Sequence, residues 1–468
     1  MTIETFLNDN KDKIINDVIK LIDIPSIYDQ DSAEADKPFG SNVSRCLNEV
    51  LDMAERMGFR CRNIDGYAGE ITVGTGEFVI GILAHEDVVA EGDGWSVQPF
   101  DAMVRDERIY GRGASDDKGP IVSCLYVLKY LHDNELIPED VCYRMIIGTN
   151  EEENWEGIEY YKKHTDKLPD YSIVPDGYFP LIFCEKGLVD FDINAEAAVD
   201  EKGDVKIIEL SGGAGRNIVA GVAECKLECA EEIRNKVAAE LNMMDNICAE
   251  VEDRLISVIS NGKSTHAMSP EKGRNAINQL MAALGAINYT TSIDDIIGRF
   301  NDAIGLEYNG ESLGCKLSDE LSGMLTFNVG TIELRENKVL MQANLRFPAS
   351  MNYDQIMELL LRGLEKAGFS YKEQAYLPPI YIDPESEYVE LLLNSYRMVT
   401  SDMDSIPFSI GGATYARAIP NAVAFGPLFP YEEELAHGPD EYISIDSLLK
   451  MSMIYADALL NMAKLHRA

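Results

Sequence analysis

Apolar positions between Ile3 and Ile22 recur with the spacing of one helix face, and a second segment of that kind runs from Val43 to Met57. Three short runs follow in which apolar residues are nearly continuous: FVIGILAH at 78–85, YRMIIG at 143–148 and YSIVPDG at 171–177. They alternate with the amphipathic segments IVSCLYVLKYL and EGIEYYKKH. Continuous apolar runs suit strands buried on both faces, and the strand–helix alternation predicts a largely parallel, helix-covered sheet. Polar residues with chemical potential come directly after these strands: His85 and Asp87, then Glu151 to Glu153, then Asp176. The carboxyl ends of strands in an open α/β sheet form its ligand crevice, so these residues are expected to converge there.

After about Gly187 the pattern changes to alternating segments such as LVDFDINAEA, DVKIIEL, LISVIS, MLTFNVGTIEL and VLMQANLRF, with helices AINQLMAALGAI and YDQIMELLLRGLEKAG among them. Alternation predicts strands with one exposed face, hence a domain of α+β type. From about Pro384, helical segments and the Gly-rich turn SIGGATYAR lead to AHGPDEYISI and a closing amphipathic helix. The expected architecture is an α/β catalytic domain built from residues 1–186 and 383–468, with an α+β domain, 187–382, inserted as a lid. No internal repeat, low-complexity stretch or long Pro/Ser linker interrupts this plan.

Composition narrows the partners. The 80 acidic against 41 basic residues leave a formal charge of −39, which repels nucleic-acid phosphates and anionic membranes. The nine cysteines are an odd number with no CxxC pair, which argues against a disulfide framework and for a reducing, cytoplasmic setting. Cys225 and Cys229 in ECKLEC lack a second Cys/His pair and read as packed thiols. The first twenty residues mix acids and bases, unlike a signal peptide, and no apolar run approaches the roughly 18 residues of a membrane span.

The chain does carry a set of metal-binding side chains. A pair of divalent ions needs about three protein ligands each, with one carboxylate able to bridge. In GILAHEDVV, His85 and Asp87 stand two apart at a strand end and so point the same way; the Asp is either a ligand or the group that orients the imidazole. IYGRGASDDKGP sets Asp116 and Asp117 between glycines before a helix, and either can be the ligand. Of Glu151 to Glu153, one can bind metal while its neighbour serves as base. Taken singly, each of these acids has an ordinary explanation as a turn residue, helix cap or solvated surface group. His132, His164 and His466 read as surface residues, whereas His266 and His437 lie in loops of small and turn-forming residues.

In this order and spacing, HED, GRGASDDKG, GTNEEENW, VPDG, a histidine in the inserted domain and a late histidine resemble the zinc-dependent aminoacylase and glutamate-carboxypeptidase-type metallopeptidase family. GTNEEENW, VPDGYFP, AGRN and IGGATYAR resemble its dipeptidases of the PepV/carnosinase kind. The resemblance spans nearly the whole chain. It implies that His85 and Asp176 bind one metal, Glu152 and His437 the other, and that Asp116 bridges them through a cis Asp116–Asp117 peptide. It also implies that Asp87 orients His85, that Glu151 is general base and acid, and that His266 stabilises the oxyanion. Asn217 and Arg346 would grip the substrate's terminal carboxylate, a task that suits the planar guanidinium fork. Gly411, Gly412 and Thr414 would line the substrate pocket.

The function so implied is hydrolysis of dipeptides with a free carboxylate, of carnosine-like or broad specificity, by water activated between two divalent ions. Zinc is the first expectation, and manganese and cobalt suit the same donors. An N-acyl amino acid amidohydrolase or a carboxypeptidase is the alternative within the same chemistry, and a silent metal-dependent binding protein the alternative outside it. The expected partner is a small peptide, with the chain a monomer or homodimer.

Overall fold

The run Phe78–His85 forms a strand buried along all but its first residue. It pairs in parallel with Val141–Gly148 on one side and Tyr171–Val174 on the other. His85 is opposite Gly148, and Ile82 is opposite Ile173, so the three carboxyl ends finish nearly level. Ala422–Ala424 adds a fourth parallel strand beside Tyr171–Val174, placing a late segment of the chain next to an early one. The structure, a computed structural model, describes residues 1–196, 203–336 and 338–465.

The expected, largely parallel sheet has these four parallel strands at its centre and antiparallel strands at its margins. At one margin Ala68–Gly74 runs antiparallel to Val141–Gly148, and Arg60–Ile64 runs antiparallel to Ala68–Gly74. A turn between Ile64 and Ala68 is too short for a crossover and can join only antiparallel neighbours. The outermost strand, RCRNI, is mostly exposed and carries no continuous apolar run, so hydropathy gave no sign of it.

The helices Ile3–Ile22, Lys118–Asp133, Glu387–Thr400 and Ile445–Met462 pack on one another, and Lys118–Asp133 also lies on the strand Phe78–His85. The first helix buries Phe6, Leu7, Ile14, Val18, Leu21 and Ile22 along one face and is capped by the Thr2 hydroxyl, which accepts from the Thr5 amide. Together these elements form one compact unit: Met1–Phe183, Ile382–Phe408 and Ala413–Ala468.

A second unit comprises Cys184–Tyr381 and Ser409–Gly412. Among the described residues its sheet has eight strands, all antiparallel, with Gly187–Glu196, Val205–Gly212, Val222–Cys229, Thr326–Arg335 and Lys338–Phe347 among them. Burial along these strands alternates, and the inward residues Val189, Phe191, Ile193, Leu227, Met341 and Leu345 share a core with the helix Ala276–Ala286. Cys225 is buried and Cys229 half-buried on one strand, and among the described residues neither belongs to a cluster able to hold a metal. Ser370–Leu377, a largely exposed edge strand, is polar enough that its sequence did not stand out as a strand.

Candidate metal centre

The level strand ends bring His85, Glu151 and Asp176 together, and alongside them Asp116, Glu152 and His437. In each trio one ligand atom per residue lies within 4.8 Å of the others. Asp116 joins the trios: its Oδ1 is 3.0 Å from His85 Nε2 and its Oδ2 is 3.2 Å from His437 Nε2. His437 Nε2 is also 3.0 Å from Glu152 Oε1, and His85 Nε2 is 3.9 Å from Asp176 Oδ2. One carboxylate therefore faces two imidazoles, one oxygen to each. The Asp116–Asp117 peptide is cis.

Asp117, the other candidate in its pair, is fully buried and turns away, accepting from the His85 backbone N–H at 3.3 Å. Glu153 is exposed, outside both trios. Asp87 does not point into the cluster either. Its two carboxylate oxygens accept the backbone N–H groups of Glu151 and Glu152, each at 3.1 Å, and its carbonyl accepts His85 Nδ1 at 3.0 Å. One residue thus holds both the imidazole and the glutamate turn. The same turn is closed by buried Asn150, whose carbonyl accepts from Trp155 N and whose side chain accepts from Glu156 N. The run of glutamates owes its shape to these two neighbours.

The donor set fits divalent cations. With its Nδ1 proton donated to the Asp87 carbonyl, a neutral His85 ring presents a bare lone pair at Nε2. That atom and Asp116 Oδ1 are buried and face each other, and neither makes a hydrogen bond. Lone pairs converging in this way call for a shared positive charge, and imidazole nitrogen with carboxylate oxygen is a set that zinc, manganese and cobalt accept. In the protein alone, protons serve instead. Burial by itself would lower the His85 imidazolium, but Asp116 and Asp87 hold it well above the usual range. Burial likewise opposes the His437 imidazolium, and Asp116 and Glu152 outweigh it. Burial and the neighbouring Asp116 push Asp176 up to about 7, and burial likewise raises Glu151 well above the usual carboxylate range.

In the second unit, the His266 loop lies against Asn217. Ala267 N donates to the Asn217 carbonyl at 2.8 Å, and Ile218 bridges to His266. His266 Nδ1 accepts from Met268 N at 3.2 Å, so a neutral ring carries its proton on Nε2. Arg346 is buried, with Nε donating to Asn344 Oδ1 and Nη1 to the Gly411 carbonyl. Gly411 and Gly412 both pack on Met268, two residues beyond His266. These five residues are therefore one neighbourhood. Thr414 belongs to the first unit, where its hydroxyl accepts from Ala416 N and caps a short turn leading with Tyr415, whose ring lies edge-on to His85. His132 and His164 are exposed, and His466 lies outside the described residues.

Arg112 and Glu441 drew no attention in the sequence, yet they form a fully buried ion pair at 2.7 Å behind Asp116. Glu441 sits four residues past His437 in GPDEY, and nothing in the local pattern ties it to an arginine so far away in the chain.

A two-unit α/β chain with paired imidazole–carboxylate trios at its strand ends is the architecture of a dimetal hydrolase. Residues 81–461 match Peptidase family M20/M25/M40, and the chain belongs to that family. It is 36% identical over 464 residues to "Putative dipeptidase YtjP" of Bacillus subtilis, covering 97% of this chain and 98% of that protein. Its fold is similar to human carnosine dipeptidase 1 (TM-score 0.60, 15% identity, 99% and 98% of the two chains). It is also similar to the aminoacylhistidine dipeptidase of Vibrio alginolyticus (TM-score 0.57, 16% identity, 99% and 98%). Among the described residues no helix is long and apolar enough to cross a membrane.

Proposed function

We propose that this chain is a dimetal dipeptidase that hydrolyses dipeptides bearing a free carboxylate. The observation that carries the reading is the Asp116 carboxylate set between His85 and His437, in a chain of which 97% matches a relative named a putative dipeptidase. His85 and Asp176 would hold one ion, Glu152 and His437 the other, and Asp116 both; zinc is the first choice. Such ions supply Lewis acidity for the scissile carbonyl and lower the pKa of a shared water toward neutrality.

The protein's own groups do the rest. Glu151, half-buried in the trio with His85 and Asp176, takes the proton of the attacking water and returns it to the leaving amine. Asp87 keeps His85 in the tautomer whose Nε2 is open and fixes the turn that carries Glu151. His266, with its proton on Nε2, has the donor an oxyanion needs, a contribution of about 3–4 kcal/mol in comparable sites. Arg346 and Asn217 serve the terminal carboxylate, Gly411, Gly412 and Thr414 line the substrate pocket, and the second unit acts as lid.

The test is metal-stripped protein reconstituted with zinc or manganese and offered dipeptides, a tripeptide and N-acyl amino acids. Turnover of dipeptides above the others is expected. Cleavage of N-acyl substrates alone would replace the dipeptidase reading with the amidohydrolase one. Two bound metals without hydrolysis of anything in the panel would leave a binding protein.

A further inference from the structure

Nothing in the side-chain contacts of Asp116 explains why its carboxylate sits midway between two imidazoles. Its oxygens face His85 and His437, both of which await the same cations. Its position is therefore set by its backbone, and that backbone is held by one distant residue. Glu441 Oε1 accepts from Ser115 N at 3.0 Å, Ser115 Oγ at 3.1 Å and Asp116 N at 3.3 Å. Its Oε2 accepts from Arg112 Nη1 at 2.7 Å and Gly113 N at 3.1 Å. Five donors from a single five-residue loop converge on one carboxylate that is itself fully buried.

The clamp reaches both ways. Gly111 N donates to the Glu441 carbonyl, and Tyr442–Ser444 pairs antiparallel with Arg108–Tyr110, so the chain around Glu441 is stitched to the loop at two further points. Arg112 in turn donates to the carbonyl of Glu91 at 3.1 Å and lies over the Trp95 ring, anchoring the far side. His437, four residues before Glu441, belongs to the same short connection and takes a left-handed φ of 64°. Whatever fixes Glu441 against the 112–116 loop fixes His437 against Asp116.

We propose that Glu441 is a positioning residue that sets the spacing between Asp116 and His437, and with it the affinity of the Asp116, Glu152 and His437 site for a divalent cation. The inference rests on the dimetal reading above. Groups that orient metal ligands without touching the ion typically change affinity by about 10–100-fold when altered. Asp116 serves both ions, but the effect is greater on the Asp116, Glu152 and His437 site, where Asp116 and His437 both rest on the clamped segments, than on the other, where His85 and Asp176 have separate supports in Asp87 and the central strands.

The experiment is titration of Mn²⁺ into the metal-stripped full chain, followed by calorimetry and by electron paramagnetic resonance, for wild type, Glu441→Gln and Ser115→Ala. Glu441→Gln keeps the size of the side chain but turns an amide donor toward other donors. The expected result is one equivalent weakened by about 10–100-fold and the other by a clearly smaller factor, with loss of the exchange-coupled two-manganese signal at concentrations that saturate wild type. Ser115→Ala removes one of the five donors, leaves no buried charge unpaired, and is expected to weaken the same equivalent by a smaller factor. It decides the matter alone should Glu441→Gln not fold. Variants that bind both equivalents like wild type, or lose both alike, overturn the inference while the dimetal reading stands. A wild-type chain that takes up only one equivalent overturns both.

Discussion

At the scale of single residues, two glutamates side by side, Glu151 and Glu152, divide between the trios, and their duties are separable by mutation. Glu151→Ala is expected to lower kcat by about 10²- to 10⁴-fold while the metal content, read by elemental analysis, stays at the wild-type level. Full turnover in that variant would remove Glu151 from the chemistry. The titrating groups make a second prediction. In metal-free protein His85, His437, Glu151 and Asp176 are all raised, so the folded state holds more protons than the unfolded chain above about pH 4. Its stability therefore falls as pH rises through those raised values. Cations must displace the same protons, so their binding strengthens over that range. The gap in Tm between metal-loaded and metal-free protein is expected to widen from pH 6 to pH 8, with net proton release on loading. A gap that stays constant, with no proton release, would mean the imidazoles and carboxylates are already deprotonated in the metal-free site.

At the scale of elements, the strand Val141–Gly148 delivers the glutamate turn, and its last residue has no room for a side chain. A Cβ on Gly148 would stand 2.3 Å from the Tyr415 hydroxyl and 2.6 Å from its ring, and Tyr415 is itself fully buried. Gly148→Ala is expected to cost about 1–3 kcal/mol of stability and to lower kcat beyond what that loss explains, because the turn carrying Glu151 shifts. Adding Tyr415→Phe, which removes the nearest atom, should restore part of both; urea melts and steady-state kinetics measure them. Why the sequence disclosed this much and no more is visible in the same elements. Phe78–His85 and Val141–Gly148 announce themselves because strands buried on both faces must be apolar throughout. Arg60–Ile64 and Ser370–Leu377 face solvent at sheet edges and carry no such mark. Asp87 was legible as a neighbour of His85, two residues away on one strand end. Glu441 was not, since its partners are set by the tertiary fold and lie more than three hundred residues earlier.

At the scale of the molecule, the formal charge of −39 has to be accommodated by a folded chain that crowds carboxylates together. Self-repulsion of that size is screened over a Debye length that shrinks from about 10 Å at 0.1 M salt to about 3 Å at 1 M. With a chelator present to exclude divalent ions, Tm is expected to rise with sodium chloride across that interval by a few degrees, the equivalent of about 1 kcal/mol. A fall in Tm would show that attractive ion pairs such as Arg112 with Glu441 outweigh the general repulsion.

The first unit takes Asp176 from its opening segment and His437 from its closing one, with the whole second unit encoded between them. During synthesis at about 5–20 residues per second, the last of the five proposed ligands leaves the ribosome on the order of tens of seconds after the first four are available. A nascent or prematurely ended chain therefore exposes a partial, acid-rich ligand set but no second trio. If His437 is a ligand as proposed, peptide hydrolysis is expected only from chains translated almost to the end, a safeguard that arises from the order of the segments along the chain.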